Sequence, residues 1–115
     1  MKKSDTIKSK KEFTDIIKTG KFIKNKEYVI YYKENNLEKN RFGIAISTKL
    51  GKAVVRNKLK RQTREIINSL NYLFKNNKDY IIMIRKGNLE VPFKEKLSNF
   101  EKLLKERLWK RKNYL

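Results

Sequence analysis

The stretch from Lys49 to Glu65 carries the side chains whose chemistry is easiest to interpret. Seven of its first sixteen residues are Lys or Arg, and no acid occurs before Glu65. Guanidinium and ammonium groups pair with phosphate oxygens, so phosphate is the ligand we expect. A solvated helix face is the alternative, but such faces usually mix both signs of charge. The basic residues are Lys49, Lys52, Arg56, Lys58, Lys60, Arg61 and Arg64.

The same stretch has the spacing of an amphipathic helix. At about 100° per residue, its apolar side chains fall on one stripe and most of its basic side chains on the opposite side. Gly51 permits a tight turn before the helix, and the N–H groups near Lys52–Val54 would add partial positive charge. The apolar side should therefore pack against the protein core, while the basic side binds phosphate. The apolar stripe is Val55, Leu59, Ile66 and Leu70, and the opposite side holds Arg56, Asn57, Lys60, Arg61 and Arg64.

The composition of the chain points to a polyanionic partner. With 31 basic and 12 acidic residues among 115, the net charge is +19, so the surface attracts nucleic acid. Hydrophobic residues make up 38% of the chain, which is too many for a disordered basic tail. The length suits a single domain over residues 1–115.

No stretch of the sequence is typical of a secreted or membrane protein. The basic N-terminus is not followed by an apolar run, and no run reaches the roughly eighteen apolar residues of a membrane span. Cys is absent, which excludes disulfides and thiolate metal sites. We expect a cytoplasmic protein. Binding of the basic surface to acidic lipid is an alternative, but no helix combines a broad apolar face with Trp or Phe.

The residues of a protein-only nuclease are not visible. Such an enzyme needs acid–base groups or clustered carboxylates that hold a metal. His is absent, no D-x-D, D-x-K or E-x-K occurs, and the three Asp residues, Asp5, Asp15 and Asp79, are far apart in sequence. Carboxylates distant in sequence can converge in a fold, so this exclusion is strong without being complete. We expect no metal site in the protein.

A first helix is predicted to begin after Ser9, which with Glu12 fits a capping box, and to end before Gly20. The helix would carry Phe13, Ile16 and Ile17 on one side, with Phe13 and Ile17 four residues apart. These two side chains form either a plain core stripe or, in part, an open surface on which a base can stack.

Two segments, Tyr28–Lys33 and Arg41–Thr48, have the aromatic and β-branched content of strands. The polar loop Glu34–Asn40 between them predicts an antiparallel hairpin, and a further extended piece is expected around Phe22–Asn25. On the second strand, large residues alternate with small ones such as Gly43. The small face either lets a bound chain approach the backbone or accommodates a packed helix.

The second half of the chain completes an α/β pattern. Asp79–Arg85 is the most continuously apolar segment, typical of a central strand buried on both faces. After the loop Lys86–Pro92, apolar residues recur at helical spacing through a final helix that becomes basic over Arg107–Lys112. A strand, the basic helix and another strand follow one another, which predicts an α/β (α+β) two-layer sandwich with a small mixed sheet. Its crossover would by default be right-handed. The apolar residues of the final helix are Phe93, Leu97, Phe100, Leu104 and Leu108.

The basic stretch resembles a known signature. KLGKAVVRNKLKRQTR, residues 49–64, is similar to K-x-G-x-A-V-x-R-N-R-x-K-R-x-x-R of the protein subunit of bacterial ribonuclease P. The likeness extends over nearly the whole chain, including Phe13, Gly20, the aromatic strand Tyr28–Tyr31 and the strand Asp79–Ile82.

This resemblance implies a fold and a set of partners. The fold is a small sandwich whose crossover around the basic helix is left-handed, contrary to the default. The catalyst of the family is a large RNA that holds the Mg²⁺ ions, and the protein is its cofactor in removing the 5′ leader of precursor tRNA. The expected partners are that RNA and precursor tRNA, with no stable protein partner and no membrane. The implied RNA contacts are Lys49, Lys52, Arg56, Asn57, Lys58, Lys60, Arg61 and Arg64.

A cleft between the first helix and the sheet receives the single-stranded leader in this family, and Phe13, Ile17 and Tyr31 fall at the corresponding positions. Two residues depart from the pattern. Lys58 keeps the charge of the Arg that it replaces but lacks its bidentate fork, and Ile17 replaces a common aromatic. The rival hypothesis is a general RNA-binding or ribosome-associated structural protein. A DNA-binding helix-turn-helix fits less well, because strands flank the helix and few residues besides Asn57 could contact base edges.

Overall fold

The computed structural model describes residues 5–109, with only the backbone of Trp109. The basic end predicted for the last helix, Arg107–Lys112, is therefore described only as far as residue 109. Residues 110–112 lie outside the described part of the chain. Within residues 5–109 there are three α-helices and four strands, and short 3-10 segments join several of them. In chain order the elements are α1 Lys10–Thr19, β1 Lys21–Lys24, β2 Tyr28–Glu34, β3 Arg41–Ile46, α2 Ala53–Ser69, β4 Lys78–Ile84 and α3 Phe93–Leu103, continued by a π-helical segment Leu104–Trp109.

The sheet is mixed, with the order β1-β2-β4-β3. β4 pairs antiparallel with β2, where Tyr28 lies opposite Ile84, and parallel with β3, where Arg41 lies opposite Asp79. The predicted α+β sandwich with a central basic helix is confirmed. Because α2 connects the parallel neighbours β3 and β4, it forms a crossover, whose left hand stays a prediction from the resemblance.

The predicted hairpin between β2 and β3 is wrong, because β4 lies between these two strands. The physical reason is the composition of β4. Tyr80, Ile81 and Ile82 are all fully buried, and a strand with such side chains on both faces is most stable with a neighbour on each side. The polar loop after β2 therefore carries the chain past the place of β4 to the far edge of the sheet.

Different helices pack against the two faces of the sheet. One face packs against α2, α3 and the π-helical segment, and it holds the larger core. Its centre includes the aromatic cluster of Phe42, Phe74 and Tyr80, whose ring centroids lie 4.8–5.4 Å apart. The other face is covered by α1 and by Ile7, which form a smaller cluster with Ile81. We call this second side of the sheet the α1 face.

The ends of α1 follow from its sequence. The backbone N–H of Glu12 donates to Ser9 Oγ at 3.3 Å, so the predicted N-cap is confirmed. The Glu12 carboxylate does not complete the capping box, because it pairs with Arg41 instead. The helix ends at Thr19, and the N–H of Gly20 donates to Ile16 O at 2.8 Å. A Cβ at Gly20 would lie 2.6 Å from Tyr32 O, so glycine lets the chain turn directly into β1.

Candidate nucleic-acid interface

The start of α2 is fixed by the turn that precedes it. Gly51 has φ 152°, a conformation that other residues rarely adopt, and its carbonyl accepts a hydrogen bond from Arg56 Nε at 3.1 Å. The helix begins at Ala53, and its N-cap residue, Lys52, provides no side-chain hydrogen bond. No acidic residue lies in the first turn. The positive end of the helix dipole therefore adds to the basic side chains around it.

The packed side of α2 agrees with the predicted stripe except at its first member. Leu59, Ile66 and Leu70 are 5% exposed or less, as predicted. Val55 is 37% exposed, so its assignment to the core is wrong. It shares the angular position of the stripe but belongs to the first turn, one turn before Leu59, where its close neighbour is Gly51 rather than the sheet.

Hydrogen bonds hold α2 against its neighbours. Thr63 Oγ1 donates to Leu59 O at 2.8 Å within the helix. Its single hydroxyl proton is then used, so the Tyr28 hydroxyl donates to Thr63 Oγ1 across 3.2 Å. On the other flank, Lys96 Nζ of α3 donates to Gln62 Oε1 at 2.7 Å. These bonds fix the rotation of α2 and hence the direction in which its basic side points.

Lys96 is a buried cation behind the basic helix. It is 3% exposed, and burial, together with the nearby positive charge of Lys58, lowers its pKa below the ordinary value; Glu27 acts in the opposite direction. Sequence reasoning missed this residue, since a lysine in an amphipathic helix is ordinarily solvated. Lys58 lies one helical turn before Gln62, which bonds to Lys96, so it is on the flank of α2 that faces α3.

The basic residues of α2 are divided between its two flanks. Arg56, Lys60 and Arg64 are spaced four residues apart and form one stripe on the flank away from α3. Asn57 and Arg61 continue this surface outward, whereas Lys58 faces α3. Arg56 and Lys60 are half-buried, and the remaining six of the eight predicted RNA contacts are exposed. Those six are Lys49, Lys52, Asn57, Lys58, Arg61 and Arg64.

Within residues 5–109, no acidic side chain forms an ion pair with the basic residues of this surface. A solvated helix face would be expected to carry several partners of opposite sign at i,i+4, whereas α2 has one acid, Glu65, four residues after Arg61. The arrangement therefore favours an external polyanion over the alternative of an ordinary solvated face.

The predicted cleft residues meet on the α1 face of the sheet. Phe13 and Ile17 of α1 and Tyr31 of β2 are half-buried and pack against the small core of Ile7, Ile16 and Ile81. A Cβ at Gly43 would lie only 2.5 Å from the Phe13 ring. Of the two interpretations of the small residues on β3, the structure therefore supports close helix packing at Gly43.

An ion-pair network joins α1 to one end of the sheet. Arg41 donates to both carboxylate oxygens of Asp79, from Nε at 2.9 Å and Nη2 at 2.7 Å, and Nη2 also reaches Glu12 at 2.9 Å. The hydrogen bonds to Asp79 raise the pKa of Arg41. Glu12 directly precedes Phe13, so this network sets the position of the aromatic ring. We call it the Arg41 network; the sequence alone marked Arg41 only as the start of a strand.

Phe22 is a second residue that sequence reasoning missed. It lies on β1 opposite Tyr31, is 54% exposed, and its ring centroid is 5.9 Å from that of Tyr31. The strand signal around Phe22 was visible in the sequence. The register that places it beside the cleft residues was not.

The described acidic side chains offer no cluster of three or more that could hold a metal ion. Asp79 is engaged by Arg41, and Asp15 lies 2.8 Å from Lys33 Nζ. Across the same residues, no helix is long and apolar enough to cross a membrane.

Comparison with known proteins identifies the family. The family model for ribonuclease P matches residues 1–108. The ribonuclease P protein component of Mycoplasma mycoides is 41% identical over 107 residues, which cover 92% of this chain and 98% of that protein. The component of Streptococcus pyogenes is 36% identical over 105 residues, covering 91% and 87%.

Solved structures agree with the sequence comparisons. The RNase P protein of Staphylococcus aureus superposes with a TM-score of 0.81 at 33% identity, covering 90% of this chain and 94% of that one. The RNase P protein of Thermotoga maritima superposes with a TM-score of 0.78 at 30% identity, covering 87% of this chain and 94% of that one. Matched along nearly its whole described length in both sequence and fold, the chain belongs to the ribonuclease P protein family.

Proposed function

We propose that this chain is a single RNA-binding domain that serves as the protein cofactor of a catalytic RNA, and that the complex removes the 5′ leader from precursor tRNA in the cytoplasm. Membership of the ribonuclease P protein family supports the reaction and the RNA partner. The observation that carries the assignment in this chain is the basic side of α2, whose charges no described acid neutralises.

In this proposal the basic side of α2 lies against the phosphates of the catalytic RNA. Lys and Arg side chains neutralise phosphates and release counterions, which supplies affinity that depends on salt concentration. Arg61 and Arg64 are exposed and can present bidentate forks to phosphate. Lys58, on the flank toward α3, would act as a point charge. Lys49 and Lys52 extend the contact to the turn before the helix.

The α1 face would receive the single-stranded leader. Phe13 and Tyr31 are half-buried and pack against the small core, and partly exposed aromatic residues can stack bases without reading the sequence. Ile17 adds apolar contact but no stacking. Because mature tRNA lacks a leader, binding at this surface would favour substrate over product.

The polypeptide itself would carry no catalytic group. Mg²⁺, held mainly by the RNA, would supply the metal-assisted hydrolysis of the phosphodiester. The role of the protein is to reduce repulsion between two polyanions and to hold the leader, so its residues contribute to binding and positioning. The rival function, a general RNA-binding or ribosome-associated structural protein, shares the basic helix but predicts no preference for a leader.

The test is cleavage of a precursor tRNA at limiting Mg²⁺ by the protein alone, by a bacterial ribonuclease P RNA alone, and by the mixture. Cleavage should be strong only in the mixture. The double variant Arg61→Ala and Arg64→Ala should reduce this stimulation, whereas Lys94→Ala, which removes an exposed lysine of α3, should retain it. Cleavage by the protein alone would reveal an unrecognised active site. A mixture no better than the RNA alone would support the rival function.

A further inference from the structure

Phe22 is the exposed aromatic side chain that the proposed mechanism does not yet use. It is 54% exposed, whereas the next residue on the strand, Ile23, is 4% exposed. An isolated exposed apolar residue is ordinary on a protein surface. Phe22 differs because its ring is already in contact with Tyr31, at a centroid distance of 5.9 Å and an interplanar angle of 46°.

The strand register places Phe22 in line with the cleft. Phe22 lies opposite Tyr31, Tyr31 opposite Ile81, and Ile81 opposite Gly43. The Phe13 ring covers Gly43. Side chains at matched positions of neighbouring strands project from the same face. Aromatic rings therefore occupy both ends of one row across the α1 face, with Tyr31 between them.

The charges around Phe22 fit a phosphate backbone. The strand β1 consists of Lys21, Phe22, Ile23 and Lys24, and both lysines are exposed. Because side chains alternate along a strand, Lys24 projects from the same face as Phe22 and Lys21 from the other face. Neither is held in an ion pair within the described part of the chain. Exposed rings flanked by cations form the usual binding surface for single-stranded nucleic acid, because bases stack while phosphates are neutralised.

We propose that Phe22 is an additional stacking platform that extends the leader-binding surface beyond Tyr31 onto the edge strand β1. It would accept one further base of the precursor leader, and Lys24, two residues along the same face of β1, would neutralise an adjoining phosphate. The inference rests on the proposed function. It also assigns a place for the stacking that Ile17 does not provide.

The experiment measures the binding of precursor tRNAs with leaders of increasing length to the complex of this chain with a bacterial ribonuclease P RNA. Wild-type affinity should rise as the leader passes Tyr31 and again as it reaches Phe22. Phe22→Ala should abolish the last gain and lower the affinity of long-leader substrates about fivefold, the lower end for loss of one stacked base. The shortest leaders and mature tRNA should bind as they do to wild type.

The controls separate stacking from folding. Phe22→Trp retains an aromatic face and should keep the affinity for long leaders, and circular dichroism should show an unchanged fold in both variants. Tyr72→Ala removes another exposed aromatic, 63% exposed and outside the α1 face, and should have no effect at any leader length.

Three results would overturn the inference. If wild type prefers long leaders and Phe22→Ala retains that preference in full, Phe22 is not a contact, although the proposed function stands. If Phe22→Ala weakens mature and precursor tRNA equally, its role is structural. If wild type has no preference for any leader, the proposed function is wrong and this inference falls with it.

Discussion

The Arg41 network gives a sharp prediction about stability, because one side chain joins two elements. Asp79 accepts two hydrogen bonds from Arg41 and one from Asn35 Nδ2 at 2.8 Å. The side chains of Arg41 and Asp79 are 19% and 11% exposed. Asp79→Asn keeps the shape but turns an NH₂ group toward a guanidinium, so two donors face each other.

The expected loss of unfolding free energy lies between the values for fully buried and fully exposed ion pairs. Removing one partner of a fully buried ion pair costs about 3–5 kcal/mol, whereas exposed pairs contribute roughly 0–1 kcal/mol. Because this pair is mostly buried and Glu12 still accompanies Arg41, we expect Asp79→Asn to lower the free energy of unfolding by about 2–3 kcal/mol. For a chain of this size that corresponds to a fall in melting temperature of roughly 10 °C.

The stability lost in the Asp79→Asn variant should also depend on pH. Burial raises the pKa of Asp79, but the hydrogen bonds from Arg41 and Asn35 and the charge of Arg41 outweigh burial, so the pKa lies below its ordinary value. Between the folded and unfolded pKa values the unfolded chain binds more protons, so stability rises with pH. The contribution of the Asp79 carboxylate to stability is complete above about pH 4, the ordinary pKa of Asp in an unfolded chain. It is lost as the pH falls through the pKa of Asp79 in the folded protein.

The assay is urea unfolding followed by circular dichroism, from neutral to acidic pH. Wild type and Asp79→Asn should differ most near neutrality and converge in acid. Asp15→Asn is the matched control, since its pair with Lys33 is exposed, at 55% and 41%, and should change stability by less than about 1 kcal/mol. The reasoning is refuted if Asp79→Asn costs no more than Asp15→Asn, or if its cost is the same at every pH.

Three further predictions concern the binding surfaces and the support of α2. Gly43→Val places a Cβ 2.5 Å from the Phe13 ring and should displace it, costing about 1–3 kcal/mol of unfolding free energy and weakening leader binding; an unchanged affinity for precursor tRNA would remove Phe13 from the cleft. Arg64→Ala should reduce the slope of log K against log salt for the catalytic RNA by roughly one counterion, and an unchanged slope would place Arg64 outside the interface. Lys96 has a pKa lowered by burial and by Lys58, so the unfolded chain binds more protons and wild-type stability should rise with pH between the folded and unfolded pKa values. Lys96→Met should lack that rise in urea unfolding at alkaline pH.

Features that depend on neighbouring residues could be predicted from the sequence. Ser9 caps α1 and Gly20 ends it, since each acts on backbone groups within one turn. β4 was recognisable because its side chains are apolar on both faces. The basic side of α2 followed from helical spacing, since most of its length packs against the core as a regular helix.

Features that depend on distant pairing could not be predicted in the same way. The loop after β2 has the polarity of a hairpin, but the neighbour of β2 is decided by β4, which follows much later in the chain. The exposure of Val55 depends on where the helix extends past its packing partners. Phe22 shares a row with Tyr31 only because of the register between β1 and β2, which no local pattern specifies.

The central position of β4 has a consequence for the order in which the molecule can assemble. During synthesis, the helix that carries the basic surface leaves the ribosome before the strand that completes the sheet beneath it. Until Ile84 is made, β3 lacks its neighbouring strand, since β4 is the one strand of the described sheet that pairs with it and Thr6 adds no more than an isolated bridge to Phe42. Pairings between such distant segments are slow to form, and domains of this kind fold only when all their parts are available. The nascent chain should therefore resist protease only after β4 has emerged, although its most basic segment is already exposed to RNA.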